Sequence, residues 1–209
     1  MAEAAARTGS DPCLHFETPI DGLYQVRVHD LDLGGLQHHV YRLTITPDAS
    51  IDFVYPMGGR RGNKVRLQLA GQALPAATAE VELPADGPNT FATFLSFAKP
   101  PAKPILLELD NLPEQLESEP NNEPNAANPI QPPAILNGRI NTPGDVDCWA
   151  IRAKKDEILD LDLKAGRLGS PLDSVLVGLD AAGKQLARSD DIGGDQTDSQ
   201  LLFKAPADG

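Results

Sequence analysis

Apolar and polar residues alternate with a period of two along most of this chain, the signature of half-buried strands. Leu14 and Phe16 fall on one side of an extended segment, and Tyr24, Val26 and Val28 on one side of the next. The stretch GLYQVRVHDLDLGGLQHHVYRLTI predicts two strands joined by a loop at Gly34–Gly35, with Val40, Leu43 and Ile45 facing a core. Between residues 51 and 112 the pattern returns in IDFVYP, VRLQLAGQAL, AEVEL, TFATFLSF and ILLELDNL. From Leu136 onward it runs through GDVDCWAIRA, EILDLDLKA, SVLVGLDAAG, QLARSDD and QLLFKA, with Trp149 and Ile151 on the expected core face. No window carries an apolar helical period. The prediction is an all-β chain.

The breaks between these runs carry the turns. The 19 prolines and 18 glycines are dispersed between short alternations, as expected of tight connections and not of low complexity. Gly58, Gly59, Gly62 and Gly71 are expected to supply backbone conformations closed to other residues. Asp180–Gly183 reads as a hairpin turn. Residues 113–135, PEQLESEPNNEPNAANPIQPPAI, are rich in Pro, Asn and Glu, and composition alone makes them a linker.

One segment occurs twice. Residues 198–209, DSQLLFKAPADG, align without gaps on residues 11–22, DPCLHFETPIDG, sharing Asp11/Asp198, Leu14/Leu201, Phe16/Phe203, Pro19/Pro206, Asp21/Asp208 and Gly22/Gly209. Self-similarity at long range marks a module used more than once. After the first copy the sequence continues into the strand pattern of 23–47. The expectation is a window on a longer multi-module protein, in which strands like those of 23–47 close the sandwich to which 198–209 belongs.

Two resemblances follow from the residues. The stretch P-x-G-G-x-x-G-x-x-V-x-L-x-L-x-G-x-x-L, from Pro56 to Leu74, resembles the opening of an IPT/TIG domain, an immunoglobulin-like β-sandwich. The series EPNNEPNAAN, NGRI, GDVDCWAI, LGSPLDSVLVGLDAAGKQLARSDD and DSQLLFKAPADG resembles the bacterial pre-peptidase C-terminal domain, a jelly-roll-like β-sandwich attached to secreted proteases and other exported proteins. Cys148 stands where that family usually has an aromatic residue. The resulting division is a disordered start at 1–10, the final strands of a pre-peptidase-like module at 11–47, and an IPT/TIG-like domain at 51–112. A lead-in segment at 113–135 and a pre-peptidase-like domain at 117–209, lacking its last strands, complete it. The resemblance implies a secreted, cell-surface or periplasmic location.

Charge narrows the partners. With 18 basic and 30 acidic residues the formal net charge is −12, and no basic cluster exceeds GRRGNK. Nucleic acids and anionic membrane surfaces need a positive footprint. No apolar run has the length of a membrane span, and no signal peptide is visible. Cys13 and Cys148 lack the spacing of a metal site and read as two free thiols.

The candidate chemistry is acidic. Glu117, Glu119, Asn121 and Asn122 are closely spaced on an extended segment, and Asp145 and Asp147 follow in G-D-V-D. Calcium takes six to eight oxygens from carboxylates, amide carbonyls and water. The collagen-binding modules of bacterial collagenases carry a similar E-x-E-x-N-[DN] stretch that binds calcium with aspartates of the sandwich. Carried over, that resemblance implies Ca2+ on Glu117, Glu119, Asn121 and Asn122, with Asp145 and Asp147. A solvated linker ahead of an Asp-capped turn is the other reading. The second acidic cluster, Asp190, Asp191, Asp195 and Asp198 around Gly193–Gly194, lacks the spacing of an EF-hand and reads as a charged turn. Adjacent His38 and His39 point to opposite faces of a strand.

No G-x-S-x-G elbow, H-E-x-x-H helix or Walker A spacing is present, and no catalytic set emerges. The leading expectation is a non-catalytic region serving as spacer, stabiliser or adhesion surface in an exported multidomain protein, with neighbouring domains of the same polypeptide as partners. The alternative is a calcium-dependent module for carbohydrate or collagen-like ligands, with a hydrolase behind both. Polymer-binding modules usually expose aromatic rings, and aromatics are scarce here.

Overall fold

The computed structural model describes residues 4, 12–97, 101, 103–194 and 196–209. It divides into two compact units, Met1–Pro47 and Asp48–Gly209. Apart from Ala4, the expected disordered start at 1–10 lies outside the described residues. The fold is all-β, as the alternation predicts.

In the second unit, β1 (Ser50–Tyr55), β2 (Gly58–Arg60), β3 (Lys64–Gln72), β4 (Thr78–Glu82), β5 (Thr90–Thr93) and β6 (Ile105–Asp110) form two three-stranded sheets, ordered β1-β3-β4 and β2-β6-β5. The inward residues of both sheets meet in one core built from Val54, Leu67, Leu69, Val81, Leu107 and Leu109 among others. The polypeptide changes sheet between Tyr55 and Gly58. β1 runs antiparallel to β3, whereas β2 runs parallel to β6. One length of chain thus closes the same edge of both layers, and Met57 holds the crossing by accepting the Glu108 N–H at 2.9 Å.

Gly58, Gly59, Gly62 and Gly71 serve two different purposes. Only Gly62 among the four has a left-handed φ, 73°, in the turn where the Asn63 N–H reaches the Arg60 carbonyl. Gly58 and Gly71 are needed for close approach: a Cβ on either would enter the carbonyl of Glu108 or Ser50 on the neighbouring strand. The expectation of special backbone conformations at Gly58, Gly59 and Gly71 is therefore corrected to one of space.

The remaining strands pair in twos. β7 (Glu114–Leu116) runs parallel to β9 (Ile135–Asn137), and β8 (Asn128–Ile130) parallel to β10 (Trp149–Ile151). β11 (Ile158–Asp162) is antiparallel to β14 (Gln200–Lys204), and β12 (Leu176–Leu179) to β13 (Gln185–Ser189). The predicted Asp180–Gly183 turn joins β12 to β13, with Asp180 Oδ1 accepting the N–H groups of Ala182 and Lys184 and Gly183 at φ 80°. Residues 113–135 are not a linker. They contain β7 and β8 because strand pairing with β9 and β10 satisfies their backbone, although their side chains bring little apolar area. Pro129 is tolerated in β8 because that strand has a partner on one side alone.

The first unit departs from its pattern. Described residues 12–47 contain no strand, and Leu14, Phe16, Val26, Val28 and Ile45 are exposed. Alternation yields a strand only where a neighbour takes the backbone hydrogen bonds and a core takes the apolar side. The turn at Asp30–Gly34 does form, with Asp30 Oδ1 accepting the N–H groups of Asp32 and Gly34. His38 and His39, expected on opposite faces, instead meet edge to face with ring centroids 5.1 Å apart.

Leu107 is fully buried between the two three-stranded sheets. Leu107→Ala is expected to cost about 3 kcal/mol, read as a lower urea midpoint of unfolding with the slope unchanged.

Candidate metal centre

The parallel pairing of β7 with β9 sets Leu116 opposite Asn137, and the Glu117 N–H extends the ladder to the Asn137 carbonyl at 2.9 Å. Glu117 therefore sits beside Gly138. Its Oε2 accepts the Arg139 N–H at 3.0 Å, and its side chain is 5% exposed. Ser118 is held on both sides by the Asn128 amide, which accepts its N–H at 2.6 Å and donates to its carbonyl at 2.9 Å. With that peptide pinned, Glu117 and Glu119 lie two residues apart on an extended backbone and share a side.

Asp147 enters from the segment that leads into β10. The Cys148 N–H bonds the Asn121 carbonyl at 3.0 Å and the Asn128 N–H bonds the Cys148 carbonyl at 2.9 Å, which places Asp147 against the Glu segment. Oxygens of Glu117, Glu119 and Asp147 lie within 4.8 Å of one another. Gly138 keeps the space open: an added Cβ would stand 2.5 Å from Asp147 Oδ2 and 3.0 Å from Glu117 Oε2.

Beside the carboxylates is Asn121, 0% exposed, whose backbone N–H donates to Glu119 Oε2 at 2.9 Å. Its side-chain Oδ1 and Nδ2 are buried without protein partners, and so is Asp147 Oδ1. Burying polar atoms unpaired costs about 1–3 kcal/mol each, so such atoms point to a missing partner. The donor set is all oxygen, it is acidic, and it is partly withdrawn from water. That chemistry fits a hard cation such as calcium.

The electrostatics agree. Burial, followed by the charge and hydrogen bond of Glu117 and the charges of Asp145 and Glu119, pushes the Asp147 carboxyl up to about 7. Arg139 only partly offsets the cluster. Its Nε is 4.0 Å from Glu117 Oε1, while its guanidinium lies 4.4 Å over the Tyr55 ring and donates to Gln68 Oε1 at 3.0 Å.

The other residues singled out in the sequence lie elsewhere. Asn122 is exposed. Asp145 caps its own turn, accepting the N–H groups of Asn141 at 2.6 Å and Val146 at 3.1 Å. Of the second acidic run, Asp195 lies outside the described residues. Asp190 and Asp191 gather with Asp173, all three exposed. Asp198 is not in a charged surface turn. It is buried and accepts the amides of Ala165, Gly166 and Arg167 at 2.9, 2.6 and 3.2 Å, and Arg167 Nε at 2.6 Å. Burial raises its pKa, but these bonds outweigh burial and hold it below the usual carboxylate range. Gly138, Arg139 and Asn128 were not singled out. The glycine in N-G-R-I was the one available signal, and nothing local marked Asn128 as a clamp.

Two outcomes follow. Unfolded, Asp147 titrates near 4; folded, near 7. Across that window the metal-free folded chain holds a proton that the unfolded chain has released. Stability therefore falls as pH rises from about 4 to about 7 and levels off above. Asp147→Asn should flatten that slope and raise metal-free stability at pH 8, read by urea titration in chelator. Asp198→Ala should cost about 3 kcal/mol by leaving Arg167 Nε and three amides without their acceptor, read in the same titration.

Among the described residues, no helix is long and apolar enough to cross a membrane. No family model matches the chain, and no solved structure matches it. Over 68 residues, 32% of its length, the chain is 44% identical to a protein of Deinococcus radiodurans described as a probable subtilase-type serine protease. It spans 9% of that protein. This chain is thus similar, over about a third of its length, to one stretch of a much longer peptidase.

Proposed function

We propose that this chain is a non-catalytic accessory region of an exported multidomain protein of the secreted-peptidase kind, and that calcium locks its lead-in segment. Glu117, Glu119 and Asp147 would supply the carboxylates and Asn121 its side-chain oxygen. Similarity to a stretch of a subtilase-type protease supports the peptidase association. The observation that carries the calcium reading is the fully buried Asn121, with both side-chain polar atoms unpartnered, beside three clustered carboxylates.

In this reading the ion does structural work. It neutralises carboxylates that repel one another, takes up the orphaned oxygens, and ties residues 117–121 to Asp147 across the β7–β9 and β8–β10 pairs. The segment leading out of the β1–β6 sandwich then becomes a stiff joint, suited to holding neighbouring domains at a fixed spacing. The alternative, a carbohydrate- or collagen-binding module, has less support. Trp149 is half-buried, and the aromatic ring pairs of the described residues lie within 12–47.

Extracellular calcium modules bind at roughly 10⁻⁴–10⁻³ M, so about 10 mM calcium should add about 1.4–2.7 kcal/mol. Thermal melts of the full chain should rise by several degrees in calcium relative to chelator. Glu117→Gln and Asp147→Asn should each abolish the rise. An unchanged wild-type melting temperature reduces the cluster to a solvated turn.

A further inference from the structure

The repeated segment has different surroundings in its two copies. In the second copy, Leu201 and Phe203 lie on β14 and pair directly with Leu161 and Leu159 of β11. These four side chains face one side of a two-stranded sheet, and Phe203 reaches toward Gly178 of β12. All four are only half-buried. Among the described residues β14 pairs with β11 alone, so one edge of β14 carries no partner strand. An apolar sheet with an open edge is a template for strand addition.

In the first copy, the matching Leu14 and Phe16 are followed by the alternating run of 23–47, and those residues are strands of nothing. Val26 is 60% and Val40 84% exposed. Each molecule therefore carries an exposed apolar segment of strand pattern and a half-covered sheet edge. The repeat relates them, because the sequence that forms β14 is the sequence that precedes residues 23–47 in the other copy.

We infer that residues 23–47 of one molecule add as strands to the open edge of β14 in a second copy, laying Val26 and Ile45 against the Leu201 and Leu161 side of that sheet. Two copies satisfy each other by reciprocal exchange, which closes the assembly as a two-fold dimer. Backbone hydrogen bonds along the edge provide affinity, and the alternation fixes the register. The inference is independent of calcium.

The test is the mass of the full chain in solution by light scattering and sedimentation, over a range of concentrations. Wild type should be a dimer that dissociates on dilution. The double variant Val26→Asp, Ile45→Asp alters only the added segment and should be monomeric, with the same unfolding curve for residues 48–209. Leu201→Asp, once shown folded by circular dichroism, should also be monomeric alone. Mixed in equal amounts, the two variants should recover a one-to-one dimer, because one retains the segment and the other the sheet edge. A wild-type chain that stays monomeric at every concentration overturns the inference, as does a dimer that survives Val26→Asp, Ile45→Asp. If Leu201→Asp does not fold, the segment variant decides alone.

Discussion

Like charges held close together and partly away from water raise the cost of ionising all of them, and three carboxylates meet in this way within residues 113–150. Glu117, Glu119 and Asp147 are gathered by backbone pairings that have other reasons to exist: the β7–β9 ladder, the β8–β10 ladder and the Asn128 clamp on Ser118. Burial and the neighbouring carboxylates raise the Asp147 carboxyl to about 7, so below that pH a proton on Asp147 relieves the repulsion in the metal-free chain. A cation would relieve it more fully, since it would also give the Asn121 side-chain oxygen a partner. The same peptides that position the carboxylates hold the segment against the first sandwich, because Arg139 bonds Glu117 through its N–H while its side chain covers Tyr55. The Tyr55 hydroxyl in turn donates to the Asn137 carbonyl at 3.0 Å. Acidic cluster and domain junction are one construction.

Much of the fold was legible because period-two alternation is a local signal. Five of the six strands of the first sandwich fall where IDFVYP, VRLQLAGQAL, AEVEL, TFATFLSF and ILLELDNL place them, whereas β2 lies in the Gly-rich stretch that reads as a turn, and the β12–β13 hairpin turns at Asp180–Gly183. The failures occur where tertiary context overrides local pattern. Residues 113–135 look like a linker because their apolar content is low, yet the backbone itself has partners there. Residues 12–47 look like strands because their alternation is clean, yet no described neighbour accepts it. Hydrogen-bond partners distant in sequence decide both cases, and no window of residues contains them.

The acidic segment was legible as a cluster but not as a geometry. Composition placed Glu117, Glu119 and Asn121 together, since they are near in sequence. Choosing Asp147 over Asp145 required the register that aligns Cys148 with Asn121. The small residue at 138 and the amide at 128 matter only because other chain segments pass close by. Asp198 makes the same point in reverse: in sequence it belongs to a charged run, and in space it is the buried acceptor for a turn more than thirty residues earlier.

That buried acceptor has a consequence for the order of events during synthesis. The core of the first sandwich is drawn from Val54 to Leu109 and can be complete while the rest of the chain is still emerging. The turn at Gly166–Leu168 cannot settle in this way, because its amides and the Arg167 side chain wait for a carboxylate that arrives with residue 198. Until then Arg167 has Asp162 as its companion, through Nη2 at 2.5 Å. A chain delivered from its N-terminus therefore passes through a stage with one finished sandwich and one unset corner, and the arrival of β14 both pairs β11 and fixes that corner.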